Sequence, residues 1–222
     1  MKVPVVALMG VNPRTHQTVF FGGSFDPVHS EHIGVINALL AEFSTVVIAP
    51  TAQNPYKPHR PASFFERCEM LERYLDAEGI QRTSRPDGIG VYISKIEYCY
   101  VDQFIAEWEC PQLCNLPLIG RRLREVIARF RHYFKPSRVV WAVGPDVLQD
   151  VPKWRNQVSK ILKLVSFRGD RSSIRSSKIR AGEIEPHPVI REYIEEHDLY
   201  VGMGVRVAGD FSKAGRQSAP RD

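Results

Sequence analysis

Two histidines three residues apart, His29 and His32, follow paired glycines in the string Phe20-Phe21-Gly22-Gly23-Ser24-Phe25-Asp26-Pro27-Val28-His29-Ser30-Glu31-His32. At that spacing both imidazoles project from one side of a helix. Each can donate a hydrogen bond to a phosphate oxygen. Gly22 and Gly23 let the backbone approach an anionic ligand and take dihedrals that other residues resist. A helix start adds free backbone N–H groups and a partial positive charge. The string thus reads as an apolar strand, a tight glycine turn and a helix carrying two histidines, the parts of a polyphosphate site. Gly-Gly with Asp-Pro is also ordinary turn vocabulary; it is the whole string that points to a ligand. Neither Gly-x-x-x-x-Gly-Lys nor Gly-x-Gly-x-x-Gly is present in it, which separates it from the P-loop and the dinucleotide fingerprint.

A second string, Ile174-Arg175-Ser176-Ser177-Lys178-Ile179-Arg180, carries the same kind of chemistry. Ser176 reads as a helix N-cap, which places Ser177, Lys178 and Arg180 near a helix start facing anions. Alone it reads more readily as a capped basic surface helix. Paired with the first string it reads as a second phosphate element.

Alternating elements must position these strings. An apolar strand over 18–21, a helical pattern over 32–43 and a strand over 45–49 form a right-handed strand–helix–strand unit with parallel strands. A polar, proline-rich loop over 51–63 follows, at the strand end where open α/β sheets place their ligands. Helical patterns cover 64–77, 101–108 and 118–134, and strands are expected at 91–96, 139–143 and 161–167. A short helix starts at Ser176 and a last one runs from Pro188 to Glu196. This alternation implies an α/β doubly wound sheet. The main domain is expected over 18–200, with a partly inserted helical segment at 98–135. The first dozen residues read as an extra strand or a loose arm, and 1–17 is assigned as an N-terminal arm. The tail over 201–222, polar and rich in Gly, Ser and Arg from Ala208, is expected to be disordered.

Composition narrows the classes. The chain has 222 residues, 43% hydrophobic and 25% charged, as in one soluble globular domain. No apolar run is long enough to span a bilayer. The start, Met1 to Met9, is interrupted by Pro4 and lacks a small-x-small cleavage site, so a cytoplasmic protein is expected. Cys68, Cys99, Cys110 and Cys114 complete no zinc site and read as scattered reduced thiols. The net charge of +5 is modest. The arginines at 121, 122, 124, 129 and 131 lie on an amphipathic pattern that reads as a solvated helix face, without a nucleic-acid motif.

Together the two strings resemble the nucleotidyltransferase superfamily with a histidine-x-x-histidine motif, and within it the bacterial nicotinate-nucleotide adenylyltransferases. Their signature Gly-Gly-(Ser/Thr)-Phe-Asp-Pro-x-His-x-Gly-His is met from Gly22 to His32, with Glu31 in place of the last glycine. Their later Ile-Ser-Ser-Thr-x-Ile-Arg is met from Ile174 to Arg180, with Arg175 and Ser177 as substitutions. Pro55 to Arg60 is similar to the family's proline-rich basic loop, and Gly144, Asp146 and Trp154 to the segment that holds the pyridine nucleotide. The family's Ser-Tyr-Thr segment after the third strand is replaced by a different stretch, 98–120.

The resemblance implies a Rossmann-like doubly wound parallel sheet with helices on both faces. It implies transfer of AMP from ATP to nicotinate mononucleotide, giving deamido-NAD and pyrophosphate. His29, His32, Lys57 and Arg180 would be catalytic, with His32 at the α-phosphate. Gly22, Gly23, Ser24, Phe25, Ser176, Ser177 and Ile179 would bind ATP. Gly144, Asp146 and Trp154 would bind the pyridine nucleotide. No protein metal site is expected, and Mg²⁺ would be carried by the ATP phosphates. Neither nucleic acid nor membrane is an expected partner, and a homo-oligomer is left open. The same fold acting on nicotinamide mononucleotide or another phosphate acceptor such as phosphopantetheine is the alternative. A non-catalytic nucleotide-binding regulator ranks below both.

Overall fold

The computed structural model describes residues 5–8, 18–52, 61–99, 139–143, 162–168 and 174–203. Six strands form one sheet in the order β1-β6-β5-β2-β3-β4. They are β1 (Val5–Leu8), β2 (Thr18–Gly23), β3 (Thr45–Pro50), β4 (Gly90–Ile93), β5 (Val139–Val143) and β6 (Leu162–Arg168). The described helices are α1 (Ser30–Leu40), α2 (Phe64–Ala77), α3 (Ile96–Cys99), α4 (Ser176–Arg180) and α5 (Pro188–Glu196).

Strands β2 to β6 pair in parallel. The expected doubly wound parallel sheet carries one antiparallel edge, where β1 pairs with β6, with Val5 opposite Arg168. Of the two readings of the first dozen residues, an extra strand or a loose arm, residues 5–8 form the strand. An antiparallel edge strand on an otherwise parallel sheet is a common end to doubly wound folds.

Register explains the core. Val19 pairs with Val46 and Val140, and Phe21 with Ile48 and Ala142. Side chains alternate across a strand, so these residues share one face. There they form a single buried cluster with Ile33, Ile36 and Leu39 of α1, Met70, Leu71 and Leu75 of α2, and Ile190 and Ile194 of α5. On the opposite face Phe20 and Val47 are buried as well. Every residue of β3 is buried, as its continuous apolar run requires of a central parallel strand.

Local signals fix several boundaries. Ser63 and Glu66 form a capping box at the start of α2, with Ser63 N–H donating to Glu66 Oε2 at 2.6 Å and Glu66 N–H to Ser63 Oγ at 3.2 Å. The strand expected over 91–96 stops at Ile93. Ser94 N–H closes the pairing on the Ile48 carbonyl at 2.8 Å, and Ser94 Oγ then accepts from Ile96 N–H at 3.3 Å, opening α3. The helix expected over 32–43 begins earlier, at Ser30, and ends at Leu40. The helices expected at 101–108 and 118–134 lie outside the described residues. Among the described residues no helix is long and apolar enough to cross a membrane.

Candidate functional site

The site lies at the C-terminal end of β2, where the strand gives way to α1. Its glycines serve a purpose that spacing did not reveal. Gly22 and Gly23 belong to β2 itself, and neither has a positive φ. A Cβ on Gly22 would lie 2.7 Å from Trp141 Cζ2, and one on Gly23 would lie 2.9 Å from Phe25 Cζ. Aromatic rings therefore demand these glycines. The expected glycine turn is corrected: the left-handed residue is Phe25, at φ 51°, a genuine outlier for a bulky side chain. Its ring is fully buried and packs edge-on against Phe21, at 5.5 Å between centroids, and against His32, at 4.8 Å. A cis peptide joins Asp26 to Pro27.

His29 is the N-cap of α1, in extended backbone, rather than a helical residue as the spacing predicts. The two rings still meet: they stack with centroids 3.7 Å apart. The His29 backbone N–H donates to His32 Nδ1 at 3.2 Å. With Nδ1 accepting, neutral His32 carries its proton on Nε2 and presents a donor there. Burial drives the His32 pKa well below its usual value, and the neighbouring His29 pushes the same way. Burial lowers His29 to about 4. Both are neutral near pH 7, which lets them stack without repulsion. His29 Nδ1 is buried; it faces the His32 backbone N–H in a capping-box arrangement but makes no full hydrogen bond among the described residues. A buried polar atom short of a full hydrogen bond is costly in a packed site and invites a ligand atom.

The fold brings the second string onto the first. Ser176 Oγ donates to the Pro27 carbonyl at 2.8 Å. The Arg180 guanidinium donates to the Asp26 carbonyl and lies 3.9 Å from the Asp26 carboxylate. Ser176 is the first residue of α4, so the expected N-cap is corrected to Arg175, whose side chain makes no capping bond. Ser177 is exposed on the same short helix, and Ile179 is buried beneath it. Lys57, Gly144, Asp146 and Trp154 lie outside the described residues. No group of three or more His, Cys, Asp or Glu side chains among the described residues is placed to hold a metal ion.

Three residues that sequence reasoning missed support this region, Arg67 and Tyr200 on the turn itself and Glu97 on Ala52, which Arg67 also holds. Arg67 on α2 is 1% exposed and donates to the carbonyls of Ser24 at 2.7 Å, Ser63 at 3.2 Å and Ala52 at 3.3 Å. Burial lowers its pKa and Asp26 opposes that shift; an arginine stays charged regardless. Glu97 on α3, also buried, accepts from Ala52 N–H at 3.0 Å. Tyr200 is buried, and its phenol donates to Asp26 Oδ1 at 2.7 Å. Arg67 left a signal in the sequence. It sits on the apolar stripe of α2 between Phe64 and Leu71, and a charge at such a position needs partners.

The cytidylyltransferase-like family model matches residues 20–198. The chain belongs to that family. Among curated relatives it is 25% identical over 155 residues to a probable nicotinate-nucleotide adenylyltransferase of Helicobacter pylori strain J99, covering 68% of this chain and 74% of that protein. A protein described in the same words from Xylella fastidiosa strain M23 is 25% identical over 224 residues, covering 85% and 97%. Among solved structures, a putative nicotinate-nucleotide adenylyltransferase from Vibrio parahaemolyticus matches with a TM-score of 0.51 at 17% identity, over 73% of this chain and 83% of that one. The Plasmodium falciparum nicotinic acid mononucleotide adenylyltransferase complexed with NaAD matches with a TM-score of 0.51 at 14% identity, over 82% and 96%. At such identities the structural matches speak to the fold, which is the α/β nucleotidyltransferase fold.

Proposed function

We propose that this chain is a nicotinate-nucleotide adenylyltransferase. A phosphate oxygen of nicotinate mononucleotide attacks the α-phosphorus of ATP, the α–β bridging bond breaks, and pyrophosphate leaves with deamido-NAD as the product. One observation carries the reading. Two neutral stacked histidines, His32 presenting an Nε2 donor and His29 a buried Nδ1 with no full hydrogen bond among the described residues, sit beside a turn that Ser176 and Arg180 of the second string grip. That arrangement suits a polyphosphate in nucleotidyl transfer, where catalysis is positioning and charge stabilisation.

In this reading His32 Nε2 donates to the α-phosphate and His29 to an adjacent phosphate oxygen. Arg180, with donors beyond those given to Asp26, and Lys57 neutralise the β- and γ-phosphates, aided by Ser176 and Ser177. The backbone of Gly22, Gly23, Ser24 and Phe25 lines the nucleotide. Trp154 stacks on the pyridine ring, and Gly144 and Asp146 hold its ribose or base. Mg²⁺ carried by the ATP phosphates would supply charge neutralisation when bound. The family relationship and the curated relatives support this assignment, and a cytoplasmic setting fits the small soluble substrates.

The test is pyrophosphate release from ATP with nicotinate mononucleotide, nicotinamide mononucleotide and phosphopantetheine compared by kcat/KM. Nicotinate mononucleotide should lead, and His32→Ala should lose on the order of 10² in kcat. Preference for another acceptor would reassign the substrate. Near-normal turnover in the variant would sink the mechanism.

A further inference from the structure

Three hydrogen bonds converge on the two residues just beyond β3. Thr51 N–H donates to the Gly23 carbonyl at 2.9 Å. Ala52 N–H donates to Glu97 Oε2 at 3.0 Å, and the Ala52 carbonyl accepts from the Arg67 guanidinium at 3.3 Å. Arg67 donates in turn to the Ser24 carbonyl at 2.7 Å. These bonds close a circuit through the ends of β2 and β3, the first turn of α2, and α3, which follows β4. Strand ends of this kind border the ligand crevice of an open α/β sheet.

Glu97 is the costly member of the circuit. It is 7% exposed, and a buried carboxylate persists where hydrogen bonds and opposite charge hold it. A glutamate in the first turn of a helix can favour the helix dipole from the surface. Glu97 instead reaches back across 45 residues to Ala52. There its charge supports that of Arg67, which holds the same residue from the other side. The Ala52 N–H lies in one peptide plane and the Ala52 carbonyl in the next. With Glu97 on the first and Arg67 on the second, both planes are held, and with them the direction in which the chain leaves β3. Lys57 follows five residues later.

We propose that Glu97 is a positioning residue that, through Ala52, sets the course of the segment carrying Lys57 and so prepares that lysine for the ATP phosphates. The inference rests on the phosphate role given to Lys57 in the functional reading. Without Glu97 the peptide plane between Thr51 and Ala52 loses its tether. The incoming nucleotide must then order that segment itself, which weakens its apparent binding.

The experiment compares the full-length wild type with Glu97→Ala, Glu97→Gln, Lys57→Ala and Glu97→Ala/Lys57→Ala. In Glu97→Ala the Ala52 amide should exchange its hydrogen on the order of tenfold faster, the span of one hydrogen bond to a charged group, while β3 amides stay protected. The Kd for ATP, measured by calorimetry without acceptor, should rise roughly three- to tenfold. Gln keeps an acceptor oxygen but loses the charge, and should fall between on both counts. The Glu97→Ala effect on Kd should largely vanish in the Lys57→Ala background, because one residue acts through the other. A purely structural role would weaken ATP binding independently of Lys57, so strict additivity overturns the proposal. Unchanged Ala52 exchange, or an unchanged Kd, in folded Glu97→Ala overturns it as well. Should Glu97→Ala not fold, Glu97→Gln replaces it in the cycle, and wild-type exchange or Kd there has the same force. None of these measurements needs turnover. If wild type transfers AMP to no pyridine mononucleotide while the cycle is non-additive, the functional reading falls and the positioning role stands.

Discussion

The phenol of Tyr200 donates a 2.7 Å hydrogen bond to Asp26 Oδ1, joining the turn after the last described helix to the turn after β2. Both partners are buried. Tyr200 sits at φ 62° to reach this position, a conformation that costs a non-glycine residue free energy and persists only when surroundings demand it. Asp26 also faces Arg180, 3.9 Å away, whose guanidinium donates to its carbonyl. One carboxylate thus ties the end of the domain to both phosphate-binding strings.

Tyr200→Phe should therefore destabilise the protein by about 1–3 kcal/mol, the cost of stranding a buried acceptor. Without the phenol, Asp26 should draw Arg180 more strongly and raise KM for ATP. Urea unfolding and ATP saturation curves measure the two effects. An unchanged unfolding midpoint would remove Tyr200 from this role.

The histidine pair predicts a pH dependence. His29 titrates near 4 in the folded protein against 6.5 in the unfolded chain, so the unfolded state binds more protons between those values. Stability should be intact above pH 6.5 and fall as pH drops toward about 4, by about 3 kcal/mol from His29 alone. His32 shifts in the same direction and adds to the loss. His29→Asn should flatten the profile across that window. A variant whose stability falls as steeply as wild type would contradict it.

Bound polyphosphate should reverse that shift, because a nearby anion favours the imidazolium. ATP binding at pH 6 should then take up protons, and the uptake should shrink in His29→Asn. Calorimetry in buffers of different ionisation heat counts those protons directly. Equal uptake in wild type and variant would place the phosphates away from His29.

Much of the fold was legible because it follows from short-range pattern. The apolar runs of β2 and β3, the capping box of α2 and Pro188 at the start of α5 each carry a local signal. The antiparallel edge pairing of β1 was not legible, because which way an edge strand runs depends on a partner far along the chain. The site divides the same way. His29 and His32 announce themselves by type and spacing, but their stacking and the tautomer of His32 depend on a backbone contact. Arg67, Glu97 and Tyr200 act from α2, α3 and the far end of the domain, so only tertiary structure shows them converging near Ser24, Asp26 and Ala52.

Arg67 yields a prediction of its own. It donates to three carbonyls, Ser24 after β2 and Ala52 and Ser63 at the two ends of the β3–α2 connection, and methionine would strip the side-chain donor from all three, leaving Ser63 only its bond from the residue 67 backbone N–H. Arg67→Met should cost about 3 kcal/mol or more. Arg67→Lys should recover part of that, since an ammonium lacks the planar fork. In the folded lysine variant the turn at Ser24 loses its fixed carbonyl, so kcat should fall further than KM changes. Denaturant titration with steady-state kinetics separates the effects. A lysine variant with wild-type stability and kcat would show that the fork is not needed.

The glycines of the first string can be assigned between packing and ligand approach. Gly22→Ala places a methyl 2.7 Å from Trp141 Cζ2. Such overpacking costs typically about 1–3 kcal/mol. Trp141→Leu removes the atom that the methyl meets, so Gly22→Ala/Trp141→Leu should be less destabilised than the two single changes combined. If Gly22 serves only the ring, that double variant should also bind ATP as Trp141→Leu does. If the nucleotide needs the bare backbone, stability should recover while ATP affinity stays low. Thermal unfolding with and without ATP reads both quantities in one experiment. Additive destabilisation by the two changes would mean that Trp141 is not what keeps position 22 a glycine.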